Sequence, residues 1–166
     1  MTLKMYGLDR YAHDLVAEFC KHGVLNETHA MRTTVAFGLE RFFGEHLRLK
    51  AKNEKASVYW RKTWDTLVFI MDNAGIIVPT LEKGTQPNSE TIRQVIDDLW
   101  KDEDPENKDN EVFSREHRKV TLAVLIQLCD NMVWWAQRYK KFEPQKPRNV
   151  SQAASGNLIE EEADHA

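Results

Sequence analysis

The stretch that decides the fold runs from Val120 to Trp135 and reads VTLAVLIQLCDNMVWW. Apolar residues cover most of its helical circumference, which is typical of a central helix that others surround. Ser114 is suited to cap the start of this helix, so we predict one long helix over about residues 115–142. Polar residues interrupt the apolar run, and it is shorter than the roughly 20 residues that a membrane-spanning helix needs. We therefore expect a buried helix of a soluble protein and no membrane partner.

Upstream of this stretch, apolar residues recur at steps of three and four, and glycines separate the segments. Asn26 and Ser89 are suited to cap helices, and Gly23 and Gly75 are suited to end them. The predicted helices cover about residues 8–22, 26–52, 54–74 and 89–99. Pro79 predicts an extended chain over 75–79, with a short strand as one alternative. We thus predict an all-α fold: a single-domain helical bundle of about five helices within residues 1–143, with a long central C-terminal helix.

Composition agrees with a folded helical body. Hydrophobic residues make up 42% and charged residues 30% of the chain, and seven Gly and five Pro are too few for a loop-rich β fold. Residues 144–166 are polar and acidic, which predicts a disordered acidic tail. No N-terminal secretory signal is evident, so we expect a cytoplasmic protein. Cys20 and Cys129 fall on apolar helix faces and are expected to be buried free thiols.

Charge is distributed unevenly along the chain. The formal net charge is −3, but acidic residues concentrate in 97–111 and in the tail after Arg148. Without these two segments the chain has 21 basic and 14 acidic residues. The total charge therefore conceals a folded body on which a basic face is expected.

The segment Arg41-Phe-Phe-Gly-Glu-His46 has the form R-x-x-x-x-H. It resembles the catalytic motif of HEPN-family ribonucleases, which are small helical bundles whose Arg and His meet at a dimer interface. The resemblance implies that His46 serves in acid–base chemistry at the RNA 2′-hydroxyl and that Arg41 offsets phosphate charge. A straight helix turns by about 140° over five residues, which points the two side chains apart. The other interpretation is an exposed arginine and a half-buried histidine on an amphipathic helix.

No other motif indicates catalysis. No two histidines lie four residues apart on one helix, and no cysteine and histidine cluster has the spacing of zinc ligands. The acidic run that starts at Asp102 has neither the glycine nor the final glutamate of a calcium-binding EF-hand loop. Glycine-rich phosphate-binding loops are absent from the sequence. We expect no metal and no cofactor. A binding protein is expected ahead of an enzyme.

Two adjacent tryptophans and a basic segment end the last predicted helix. Neighbouring helical residues point about 100° apart, so either both tryptophans are buried between flanking helices or one of them faces a partner. Cations suit the C-terminal end of a helix dipole, and the same cations beside an exposed aromatic ring could hold nucleic-acid phosphates. The candidate contact residues for nucleic acid or a protein partner are Trp134, Trp135, Arg138, Lys140, Lys141, Lys146 and Arg148.

The segment from Ser114 to Tyr139, which ends in Met-Val-Trp-Trp-Ala-Gln-Arg-Tyr, resembles the closing helix of the small helical subunits of multi-subunit CRISPR effector complexes. The stretches Arg10-Tyr11-Ala12 and Thr34-Val35-Ala36-Phe37 are similar as well. The resemblance implies a non-catalytic subunit that stacks along a larger complex and contacts the guide–target backbone through basic side chains. It would place the protein in prokaryotic antiviral defence.

Three functions remain open on the sequence. The first is a non-enzymatic helical binding or assembly subunit of a larger complex, with protein partners and RNA backbone as a ligand. The second is a metal-independent ribonuclease of HEPN type that uses Arg41 and His46. The third is a regulatory bundle that binds only a protein partner.

Overall fold

A computed structural model describes residues 7–101 and 113–145 of the chain. The candidate residues Lys146 and Arg148, the acidic run after Lys101 and the predicted tail lie outside these ranges. Short 3-10 turns at Val35–Phe37 and Lys140–Phe142 accompany six α-helices. The helices are α1 (Leu8–Cys20), α2 (Glu27–Thr34), α3 (Leu39–Leu49), α4 (Glu54–Asn73), α5 (Ser89–Trp100) and α6 (Arg115–Tyr139). All regular elements in the described ranges are helical, so the all-α prediction is confirmed and the alternative of a strand at 75–79 is not realised.

The prediction of one helix over 26–52 is wrong in one respect, because the helical structure is interrupted at Gly38. This residue has φ 101° and ψ 170°, a conformation that only glycine adopts readily. The 3-10 turn Val35–Phe37 ends at it, and α3 begins one residue later. The apolar stripe continues through the break because Val35, Leu39 and Phe42 are all buried. The periodicity of the apolar residues therefore indicated the buried face correctly but did not reveal the interruption of the helix.

Side-chain caps fix several helix starts. Ser114 Oγ accepts a hydrogen bond from His117 N at 3.1 Å, which confirms the predicted cap of α6. The cap of α5 is Asn88 rather than the predicted Ser89, since Asn88 Oδ1 accepts from the backbone N–H groups of Glu90 and Thr91. At the start of α2, Asn26 makes no side-chain capping bond, contrary to prediction.

One hydrophobic core runs through the described residues, and α4 and α6 supply much of it. The largest side chains on α4, Tyr59, Trp60 and Trp64, are almost fully buried. Helix α6 packs against α1, α2 and α4, which is the central position predicted for it. It is not enclosed on every side, however, and its outer stripe of Ala123, Gln127, Asp130 and Trp134 is exposed. Among the helices described, none has the length and apolarity that a membrane crossing requires.

Ring contacts give the relative directions of the helices. Phe19 stacks on Tyr59 and Tyr11 meets Phe69 edge-on, so α4 runs antiparallel to α1. Phe43 of α3 packs on Trp64, and Ser57 Oγ donates to His46 O at 2.6 Å, so α3 is also antiparallel to α4. Cys20 Sγ donates to Tyr139 O at 3.4 Å, which places the ends of α1 and α6 together. The C-terminal ends of α1, α3 and α6 therefore meet the N-terminal end of α4 at one end of the bundle, called the lysine end below.

Candidate nucleic-acid interface

Trp134 is the exposed member of the tryptophan pair. Its side chain is 48% exposed on the outer stripe of α6. One turn later, the Arg138 guanidinium lies over the indole ring, 3.4 Å from its centroid, and Arg138 Nη1 donates to Trp134 O at 2.8 Å. The stack holds this flat cation against one face of the indole ring. Its outer face is a platform on which a planar group can stack, with N–H donors at its edge.

Trp135 points inward and joins α6 to α1. Its Nε1 donates to Asp9 Oδ1 at 3.0 Å, and its ring meets His13 edge-on with centroids 4.6 Å apart. Tyr139 completes this contact, because its hydroxyl lies 2.7 Å from His13 Nε2. The two tryptophans thus divide the roles that the sequence left open. Trp135 is a packing residue, and Trp134 is the one available to a ligand.

The segment after α6 carries exposed cations and an exposed ring. Lys140 and Lys141 are exposed in the 3-10 turn, and Phe142 is 68% exposed. Lys141 Nζ lies 5.1 Å from the Phe142 ring centroid. Glu143 turns inward, where its Oε2 accepts a hydrogen bond from Leu25 N at 3.4 Å. This bond ties the turn to the segment before α2 while the lysines stay in solvent.

The fold adds four lysines that the sequence analysis did not select. The turn after α1 carries Lys21, the connection between α3 and α4 carries Lys50 and Lys52, and Lys55 lies in the first turn of α4; all four are exposed. These turns lie at the lysine end together with Lys140 and Lys141. Residues 21–22, 50–55 and 140–143 contain only two acids, Glu54 and Glu143. Six exposed lysines from three separate segments therefore share one end of the bundle.

The lysines of this cluster are visible in the sequence, but their proximity becomes apparent only once the pairing of the helices is known. Each short segment looks like an ordinary solvated connection between helices. Only the antiparallel pairing of α3 with α4 and the shared direction of α1 and α6 bring the segments together. A simple up-and-down order of the predicted helices would not have found it, because that order places the connection after the helix over 26–52 at the end opposite to the turn after the first helix.

The structure does not bring Arg41 and His46 together. Arg41 is exposed, whereas His46 is only 6% exposed and lies in the core. His46 Nδ1 donates to the Phe43 carbonyl, and its Nε2 is buried without a hydrogen-bond partner among the described residues. Burial lowers the pKa of His46, and the backbone bond to Phe43 opposes this only in part. A neutral, enclosed imidazole cannot reach an RNA hydroxyl from this position, so this geometry does not favour the ribonuclease interpretation.

The two cysteines are buried free thiols, as predicted. Burial raises the pKa of Cys129 to about 12, and burial followed by the charge of Glu143 raises the pKa of Cys20. Thiols of this kind are poor nucleophiles. In the part of the chain that the structure describes, no group of three or more His, Cys, Asp or Glu side chains is placed to hold a metal ion.

Comparison with protein-family models gives no match for this chain, and searches of curated proteins and of solved structures give no significant match either.

Proposed function

We propose that this protein is a non-enzymatic binding subunit that contacts the backbone of single-stranded RNA through its lysine end. The observation that carries the proposal is the convergence of Lys21, Lys50, Lys52, Lys55, Lys140 and Lys141 at one end of the bundle. Exposed lysines are strongly hydrated point charges that suit phosphate oxygens without reading base sequence. The predicted ligand class is therefore a polyanion with regularly spaced phosphates.

The Arg138–Trp134 stack favours an RNA strand with accessible bases over a closed duplex. Trp134 lies six residues before Lys140, about 9 Å along the helix at 1.5 Å per residue. A strand held by phosphates at the lysine end can therefore place a base against the guanidinium face. Stacking of bases on aromatic or guanidinium planes is the usual way in which single strands are held without sequence preference.

The wider setting of the proposal is a cytoplasmic assembly in which this chain contacts protein partners as well as RNA. The resemblance of residues 114–139 to the small helical subunits of CRISPR effector complexes supports such a setting, and with it a role in antiviral defence. The lysine end adds basic side chains of the kind that this resemblance implies. Its six lysines come from three segments, only one of which follows the resembling helix.

The test is binding of a fluorescein-labelled single-stranded oligouridine at several salt concentrations. We expect binding at low salt that weakens steeply as salt rises, since log Kobs falls with log salt by about 0.7 per phosphate contact in single strands. Changing Lys140, Lys141 and Lys146 together to Gln should weaken binding and flatten the salt dependence by up to about three phosphate contacts. The change should leave the circular dichroism spectrum and melting temperature almost unchanged, because exposed charges contribute little to stability.

A matched control removes three lysines that lie outside the lysine end. Lys83, Lys101 and Lys119 are exposed, and Lys119 lies 21 residues before Lys140 on the same helix, about 30 Å away along its axis. Their replacement by Gln changes the net charge by the same amount. We expect this control to bind the oligouridine nearly as the parent does. Absence of binding by the parent at low salt would rule out the proposal.

A further inference from the structure

A groove lies on the other side of α1 from α6. It has a volume of about 650 Å³ and is bounded by α1, α4 and the segment 77–83. Its floor is apolar, with Leu15, Val78 and Leu81 almost fully buried. Above the floor, Phe69 is 54% exposed and Ile77 is 70% exposed. Two large apolar side chains therefore face solvent at the edge of one concave surface, and a ligand seated in the groove would cover both.

The wall formed by the segment 77–83 is held in place by specific bonds. Trp64 Nε1 donates to Thr80 Oγ1 at 3.0 Å, and Arg61 Nη2 donates to Leu81 O at 3.2 Å. Arg61 Nε also donates to Asp65 Oδ1 at 2.9 Å, which neutralises that carboxylate. On the opposite side, Tyr11 meets Phe69 edge-on with ring centroids 6.2 Å apart. The groove is thus preformed by its own side chains and needs no ligand to open it.

The rim of the groove is acidic. After the Arg61–Asp65 pair is set aside, the charged lining residues are Asp14, Glu18, Asp72, Glu82, Lys62 and Lys83. Among the described residues, none of Glu18, Asp72 and Glu82 forms an ion pair. Acids therefore outnumber bases around an apolar floor. A complementary ligand has apolar groups at its centre and positive charges at its edges.

We propose that this groove is a docking site for a short segment of a partner protein whose apolar anchor residues are flanked by Lys or Arg. Phe69 and Ile77 would pack between the anchors, and Asp72 and Glu82 would face the flanking cations. The proposal does not depend on RNA binding, because the groove lining contains none of the six lysines of the lysine end and neither Trp134 nor Arg138.

Other occupants fit less well. A small molecule is usually enclosed over most of its surface, whereas the two apolar rim residues here are more than half exposed. RNA and anionic membranes carry negative charge and would be repelled by the acidic rim. A symmetric dimer formed through the groove would place the same acidic rim against itself, since the two patches of such an interface are identical. A peptide segment with basic flanks fits both the open shape of the groove and the negative charge of its rim.

The experiment selects peptides from a random 12-residue display library on the immobilised full chain. Selected peptides are then synthesised, labelled and titrated by fluorescence polarisation. We expect them to carry at least two large apolar residues flanked by Lys or Arg. Their affinity should fall at least about tenfold for the double change Phe69→Ser and Ile77→Ser, since anchor contacts dominate such interfaces. The double change Asp72→Asn and Glu82→Gln should weaken binding about threefold or more at low salt, and less at high salt.

The matched control is Val58→Ser, which removes an exposed apolar side chain of α4 that does not line the groove. It should bind the selected peptides as the parent does. Failure to enrich any peptide, enrichment of acidic peptides, or equal binding by the Phe69 and Ile77 variant would each overturn the proposal. So would a dimer in sedimentation experiments that this variant abolishes, because the groove would then belong to a second copy. Oligouridine binding by the Phe69 and Ile77 variant, which leaves the charge unchanged, should equal that of the parent, so this result is independent of the proposed RNA contact.

Discussion

Replacement of Gly38 by alanine tests the break between α2 and α3 most sharply. Gly38 has φ 101° and ψ 170°, a region that is essentially restricted to glycine and costs other residues about 1–3 kcal/mol. An added Cβ would also lie 2.8 Å from Glu40 Oε1, but that carboxylate is the end of a flexible side chain and can move. The backbone conformation therefore sets the expected loss in the free energy of unfolding at about 1–3 kcal/mol for Gly38→Ala.

Gly44 provides the matched control within the same region of the chain. It lies inside α3, and a Cβ placed there would meet nothing within 4 Å. Alanine is favoured over glycine inside a helix by about 0.8–1.0 kcal/mol, so Gly44→Ala should stabilise the protein by up to that amount. The two Gly→Ala changes should thus have opposite signs and differ by about 2–4 kcal/mol.

Urea unfolding followed by circular dichroism at the helix band measures both changes. Thermal melting gives a second readout, since each kcal/mol moves the Tm of a chain of this size by about 2–4 °C. If Gly38→Ala stabilised the protein as Gly44→Ala does, residues 26–52 would form one continuous helix. The described break at Gly38 would then be wrong.

Two further predictions concern buried polar groups. The lowered pKa of His46 means that its contribution to stability is fully present above its unfolded pKa of about 6.5 and is lost as pH falls below that value. His46→Asn, which keeps a donor for the Phe43 carbonyl but does not titrate, should therefore destabilise the protein at pH 7.5 and lose less stability than the parent between pH 7.5 and 5. If chemical denaturation showed the same fall in the free energy of unfolding for parent and variant between these pH values, the prediction would be contradicted. Tyr59→Phe should cost about 1–3 kcal/mol, because it leaves the buried Thr28 hydroxyl, 2.8 Å from the Tyr59 hydroxyl, without its partner. The double change Thr28→Val and Tyr59→Phe should be less destabilising than the sum of the single changes in urea unfolding; additive losses would show that the bond is not coupled.

The helices could be predicted from the sequence because their apolar stripes and caps are local features. Ser114 caps α6 and Gly23 follows α1 as expected, since each acts on backbone groups within a few residues. The break at Gly38 could not be read from periodicity, because the buried residues on both sides keep a helical spacing. An isolated glycine inside a helical pattern is compatible with either a continuous helix or a turn.

The candidate site could be predicted only in part, for a similar reason. Trp134, Arg138, Lys140 and Lys141 stand close together in the sequence and were found there. The roles of the two tryptophans depend on Asp9 and His13, which approach Trp135 from a helix more than a hundred residues away. The lysine end likewise depends on how the helices pair, and the acidic groove combines α1, α4 and a loop. Features built from distant segments follow from packing rather than from local pattern.

The most direct test of the central claim asks whether lysines from separate segments act as one surface. Lys21, Lys52 and Lys140 come from the three turns of the lysine end, so their joint replacement by Gln removes one cation from each. Oligouridine binding by this variant is compared with that of the parent and of the Lys83, Lys101 and Lys119 control over a range of salt. The account predicts weaker binding and a salt slope that is shallower by about 2, the value for three lost contacts to a single strand. A variant whose affinity and salt slope match those of the control would contradict it.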